Sequence, residues 1–184
     1  MTSDRMDIDV SVTDEFSALV SESWLIEVAS TSLKAAFPNT LPGHVSILIT
    51  DDSYIQKLNA TYRGLNEITD VLAFSSQHNG HWEGVINENP MLEDIPDDFV
   101  FPPGITQPLG ELVISYPQIQ RQALENNNSI LKELSFITGH GILHLAGYDH
   151  EEPDETAMMK SKEVEILSPV SYTHLRAHET EADL

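Results

Sequence analysis

The chain has 184 residues, with 30 acidic residues against nine Lys and Arg, a formal charge of −21 and no cysteine. That balance excludes a surface that binds nucleic acid by broad phosphate neutralisation, so any such contact must be local. Without cysteine, disulfides and thiolate zinc sites are excluded too, and a metal could be held only by His, Asp or Glu. A hydrophobic fraction of 40% over this length suits one domain with a real core.

The N-terminus, Met1-Thr2-Ser3-Asp4-Arg5-Met6-Asp7, lacks the basic, apolar pattern of a signal peptide. No apolar run approaches membrane-spanning length, so a cytoplasmic protein with no membrane partner is expected. Asp7 to Val12 alternates polar and apolar residues and reads as a half-buried strand. Ser23 to Phe37 has apolar residues at helical spacing. Val45 to Thr50 reads as a second strand, after which Asp51 or Asp52 caps a helix running to about Tyr62. Val71 to Phe74 is a short strand. Residues 77–108 hold Pro90, Pro96, Pro102, Pro103 and Pro108, six acidic residues and no Lys or Arg, which reads as a long surface insertion.

Leu112 to Ile114 reads as a fourth strand. Ser115 and Gln118 fit a capping box that opens another helix, and Asn126-Asn127-Asn128 breaks it. Ser129 or a neighbour starts the next helix, for which Ile130, Leu134, Ile137 and Leu145 form a buried stripe. A last amphipathic helix spans about 154–167. Interleaved strands and helices place the chain in the α/β (α+β) class, a small mixed four-stranded sheet covered by about five helices. Residues 1–167 are expected to form the single domain. The segment from Ser171 to Thr180 resembles translated sequencing-adapter read-through found at the ends of unrelated proteins, so 168–184 is read as a non-native tail.

The most informative stretch runs from His140 to His150, where His140, His144 and His150 occupy relative positions 1, 5 and 11. Positions i and i+4 share one helix face, so His140 and His144 can converge on one point. Gly147 can end the helix in a left-handed turn and let His150 swing back as a third ligand. Three imidazoles around one zinc leave a fourth position open, as a catalytic site requires. One zinc per chain is expected. Asp149 is the candidate to orient a ligand imidazole by a hydrogen bond, or it is merely a turn residue. Gly139 and Gly141 each cost a helix roughly 1 kcal/mol relative to alanine, so they suggest close approach of a ligand or another backbone, or tight packing against the sheet. The spacing equals that of the zinc-peptidase pattern HExxHxxGxxH except at the general base, where Gly141 has no proton acceptor.

The stretch HGILHLAGYDH is similar to the signature of the YbeY family of bacterial rRNA-maturation endoribonucleases. Two further segments agree in order. Leu58 to Gly64, LNATYRG, with Thr69 to Phe74, TDVLAF, resembles the block LNxxYRG…TDVLSF. Leu109 to Ser115, LGELVIS, resembles LGDIVIS. Ala73 stands where the family pattern has Ser, and Ser75 where it has Pro. The resemblance covers about residues 6–167.

It implies a metal-dependent-hydrolase-like fold and cleavage of single-stranded RNA. The expected role is in 3′-end maturation of small-subunit rRNA and in ribosome quality control. The implied partners are the small ribosomal subunit, one of its proteins and the GTPase Era. Arg63 and His140 are the candidate catalytic residues, Arg63 being the family-implied phosphate clamp and the only basic residue between Lys57 and Arg121. Asp70 and Glu111 are weaker candidates for a general base. A zinc peptidase with its base supplied elsewhere and a non-catalytic, zinc-containing ribosome-assembly factor are the alternatives.

Overall fold

The computed structural model describes residues 7–37, 43–76, 108–148 and 156–166. Its elements run β1 (Asp7–Val12), α1 (Glu22–Ala36), β2 (His44–Thr50), α2 (Asp52–Arg63), β3 (Val71–Ser75), β4 (Pro108–Ser115), α3 (Tyr116–Glu125) and α4 (Ile130–Leu145). A fifth helix, α5, follows at 156–166. The sheet order is β1-β2-β4-β3; β1, β2 and β4 are parallel, and β3 pairs antiparallel with β4. This is the mixed four-stranded α+β arrangement expected.

Short polar side chains set where the helices begin. Ser21 accepts from the Trp24 amide, Asp51 from Tyr54, Ser115 from Gln118 and Ser129 from Lys132, each satisfying an amide that the first turn leaves unpaired. The capping box at α3 forms only by half. Gln118 Oε1 accepts from Arg121 instead of turning back, while the Ser115 amide donates to the Asp70 carbonyl.

Strand alternation sorts the core into two layers. Val45, Ile47 and Ile49 of β2, with Leu112 and Ile114 of β4, face α1 and α4 in the larger core. Val113 and Leu72 face the other way and pack with Ile55 of α2. Each fully buried Leu or Ile contributes roughly 1.5–3 kcal/mol. The sheet is thus a wall, with α4 on one side and α2 on the other.

β4 begins at Pro108, four residues before the expected Leu112. Pro108 and Gly110 look like breakers, yet Pro is tolerated as the first residue of a strand. A register irregularity at His44/Val45 absorbs one extra residue of β4 there. Gly110, at φ +155°, fits where a Cβ would collide with the Phe74 carbonyl. The insertion read at 77–108 therefore overlaps β4 by one residue, and its remainder lies outside the described residues, as does the tail. Among the described residues no helix is long and apolar enough to cross a membrane.

Candidate metal centre

α4 carries the histidines and is held firmly at both ends. At its start, the buried Glu133 carboxylate accepts from Asn126 Nδ2 at 3.0 Å and Asn128 Nδ2 at 2.9 Å. The asparagines that break α3 therefore also clamp the first turn of α4. At its end, Gly147 adopts φ +85°. The Gly147 amide donates to the His144 carbonyl, and the Tyr148 amide to that of Leu143. This is the paired C-terminal bonding of a left-handed helix stop, as Gly147 suggested. Between the ends, Leu134, Ile137, Ile142, Leu143 and Leu145 are buried, while Ile130 at the first turn is only partly so.

Both glycines beside His140 are packing residues. A Cβ on Gly141 would lie 2.9 and 3.2 Å from the Leu112 δ-carbons and 3.4 Å from Val71 Cγ2. A Cβ on Gly139 would meet Ile166 Cγ2 of α5 at 2.9 Å and Ser32 Oγ of α1 at 3.4 Å. They let α4 sit close to the sheet on one side and close to its helical neighbours on the other. Position 141 therefore faces the sheet. The carboxylate that peptidases place there would be driven against Leu112 and Val71 in this packing.

His140 and His144 converge as their spacing requires. Their Nε2 atoms are 3.1 Å apart, and the rings meet nearly edge-on, with centroids 4.7 Å apart at 84°. Phe136, one turn earlier, lies against the His140 ring at a centroid distance of 5.9 Å. His150 and Asp149 fall outside the described residues. Among the described residues no group of three or more His, Asp or Glu assembles as a metal cage.

The ring of His140 has a partner that the sequence reading missed. Its Nδ1–H donates to Glu163 Oε1 of α5 at 2.8 Å. Glu163 is four residues from Met159 and three from Ile166, both buried, so it lies on the packed face of α5. A carboxylate on an apolar helical stripe is the signal that could have found it.

Arg63 ends α2, just before Gly64 closes the helix at φ +69°. It is on the opposite face of the sheet from α4 and makes no hydrogen bond to either histidine. A chain of contacts nevertheless links the two. Tyr62 meets Phe74 edge-on at 5.2 Å, and Ser75 Oγ donates to the Leu145 carbonyl at 3.4 Å. The last turn of α2, which Arg63 ends, and the last turn of α4 thus both border the end of β3, from opposite faces. Among the described residues the Arg63 guanidinium forms no ion pair.

Neither weaker base candidate is poised at the histidine pair. Asp70 accepts from the Val71 amide, Thr69 Oγ1 and Gln122 Nε2, which pins β3 to α3. Glu111 is exposed and, by strand alternation with the buried Leu112, points to the α2 face.

Fold and site together define a class: a small α+β domain with a pair of converging histidines on the last turns of a sheet-covering helix. A family model described as endoribonuclease YbeY matches residues 5–171. An endoribonuclease YbeY of Dehalococcoides mccartyi is 43% identical over 159 residues, covering 85% of this chain and 86% of the relative. One from Roseiflexus castenholzii is 37% identical over 161 residues, covering 87% and 90%. A Thermotoga maritima protein whose structure was solved in solution superposes with a TM-score of 0.54 at 25% identity, covering 96% of this chain and 95% of that one. The chain belongs to the endoribonuclease YbeY family.

Proposed function

We propose that this chain is a zinc-dependent, single-strand-specific endoribonuclease of the cytoplasm. In this reading it matures the 3′ end of small-subunit rRNA and acts in ribosome quality control. The small subunit, one of its proteins and the GTPase Era are its partners. The family match supports RNA cleavage. The observation that carries the site assignment is the approach of His140 Nε2 and His144 Nε2 to 3.1 Å, with the far side of the His140 ring braced by a carboxylate.

Two converging neutral imidazole nitrogens suit zinc, and a brace on the opposite ring nitrogen is what histidine ligands of metals commonly have. His140, His144 and His150 would hold the ion. The chemistry such an ion supplies when bound is polarisation of a phosphoryl oxygen and acidification of a water. The chain's own contribution is to orient. Arg63, which pairs with no carboxylate among the described residues, can grip two phosphate oxygens through its planar fork and offset charge that grows on them. In this reading the strand of RNA would cross the end of β3, which the last turns of α2 and α4 border.

An acidic protein can do this because the contact needs few cations. A peptidase would have to take its base from elsewhere, since position 141 packs against Leu112 and Val71. The test is metal analysis paired with cleavage of single-stranded RNA, comparing the parent with His144→Ala. About one zinc per chain and RNA cleavage, both lost in the variant, are expected. Cleavage of a peptide library without RNA cleavage would establish the peptidase instead. Zinc without any cleavage would leave an assembly factor.

A further inference from the structure

We propose that Glu163 is the positioning residue of the histidine pair, holding His140 by Nδ1 so that Nε2 turns its lone pair toward His144. The proposal rests on the metal-site reading above and adds to it a residue 23 positions beyond His140 on another helix.

Four observations converge. The Nδ1···Oε1 distance of 2.8 Å is that of a strong, charge-assisted bond. The pair is sheltered, with side-chain exposures of 20% for His140 and 16% for Glu163, so water competes weakly for it. The carboxylate is delivered rigidly. Met159 and Ile166 bury α5 on either side of it, Ile166 seats against Gly139 next to the histidine, and Lys162 Nζ donates to the Ala35 carbonyl at 3.1 Å. Finally, Phe136 flanks the same ring, limiting its rotation about χ2.

A neutral imidazole has one N–H and one lone pair. An acceptor fixed at Nδ1 selects the tautomer whose Nε2 is the ligand. Gly139 then has a functional reading. A side chain there would push Ile166, and with it the carboxylate, away from the ring.

The test uses full-length Glu163→Gln and Glu163→Leu, with His144→Ala as reference. Zinc affinity is read by competition with a chromogenic chelator, ligand geometry by the visible absorption of the cobalt form, and folding by the melting temperature of the metal-free protein. Glu163→Gln keeps the size and an acceptor oxygen, so it should fold as the parent does yet bind zinc less tightly. Glu163→Leu fits the apolar stripe but offers no acceptor, and should lose about 10–100-fold in zinc affinity. Its cobalt spectrum should change in intensity while the metal-free melting temperature stays close to that of the parent.

Parental zinc affinity in both variants, even with a lower melting temperature, would reduce Glu163 to a structural ion pair and overturn the proposal. Parental affinity in His144→Ala as well would show instead that the metal-site reading had failed.

Discussion

Replacing Gly141 by alanine sets two effects of known sign against each other. Alanine relieves the backbone entropy cost of a helical glycine, a gain of about 1 kcal/mol. Its methyl would also intrude on Leu112, 2.9 and 3.2 Å from the two δ-carbons, and touch Val71 Cγ2 at 3.4 Å. Leu112 is fully buried between the sheet and α4 and cannot swing into solvent. Overpacking of this kind costs about 1–3 kcal/mol, so the net expectation is a loss of roughly 0–2 kcal/mol. For a chain of this length each kcal/mol lowers the melting temperature by about 3 °C. The sharper result is the coupling. Leu112→Ala alone should cost about 2–5 kcal/mol. In that background Gly141→Ala should become stabilising by up to about 1 kcal/mol, because the obstruction is gone and the helix propensity remains. Urea melts of the metal-free parent, both single variants and the double variant would measure this, with an interaction energy of about 1–3 kcal/mol expected. If Gly141→Ala stabilises the parent by the full propensity gain, α4 is not seated on Leu112. The placement of both histidines over the sheet would then be wrong.

Arg63→Ala should retain zinc yet lose most RNA cleavage, and Arg63→Lys should restore it only partly, since lysine keeps the charge without the two-pronged grip. Cleavage by Arg63→Ala at the parental rate, with His144→Ala as blank, would end the phosphate-clamp assignment. Deleting residues 168–184 should leave zinc content and melting temperature unchanged, and a clear fall in either would show that the tail contributes. The Arg121 guanidinium, bonded through two nitrogens to Asp52, holds that carboxyl below its ordinary value of 3.8, with Ser115 assisting and burial opposing. A depressed folded pKa means stability that is present above the unfolded value and lost as pH falls through the folded one. Arg121→Ala should therefore cost at most about 1 kcal/mol at neutral pH, as the pair is partly exposed. The gap between variant and parent in denaturation should close as the pH is taken well below 3.8.

What could be read from the chain itself followed local rules. The period of two marked β1, single side chains capped the helices, and the i,i+4 spacing of His140 and His144 put two imidazoles on one face. Gly147 stopped that helix where a left-handed residue was needed. Each of these depends on neighbours within a turn or a strand, so the linear order contains it. The tertiary structure decided what depends on distant partners. Pro108 and Gly110 join β4 only because β2 accommodates an irregular register and Phe74 comes too close for any Cβ. Gly139 and Gly141 are packing residues only because Ile166, Leu112 and Val71 arrive from three other elements. The last turns of α2 and α4 meet β3 from opposite faces, α2 through Tyr62 on Phe74 and α4 through Leu145 on Ser75, a relation no local pattern contains. Glu163 meets His140 because α5 folds back over α4, burying Met159 and Ile166 and leaving the carboxylate between them with an imidazole as its partner.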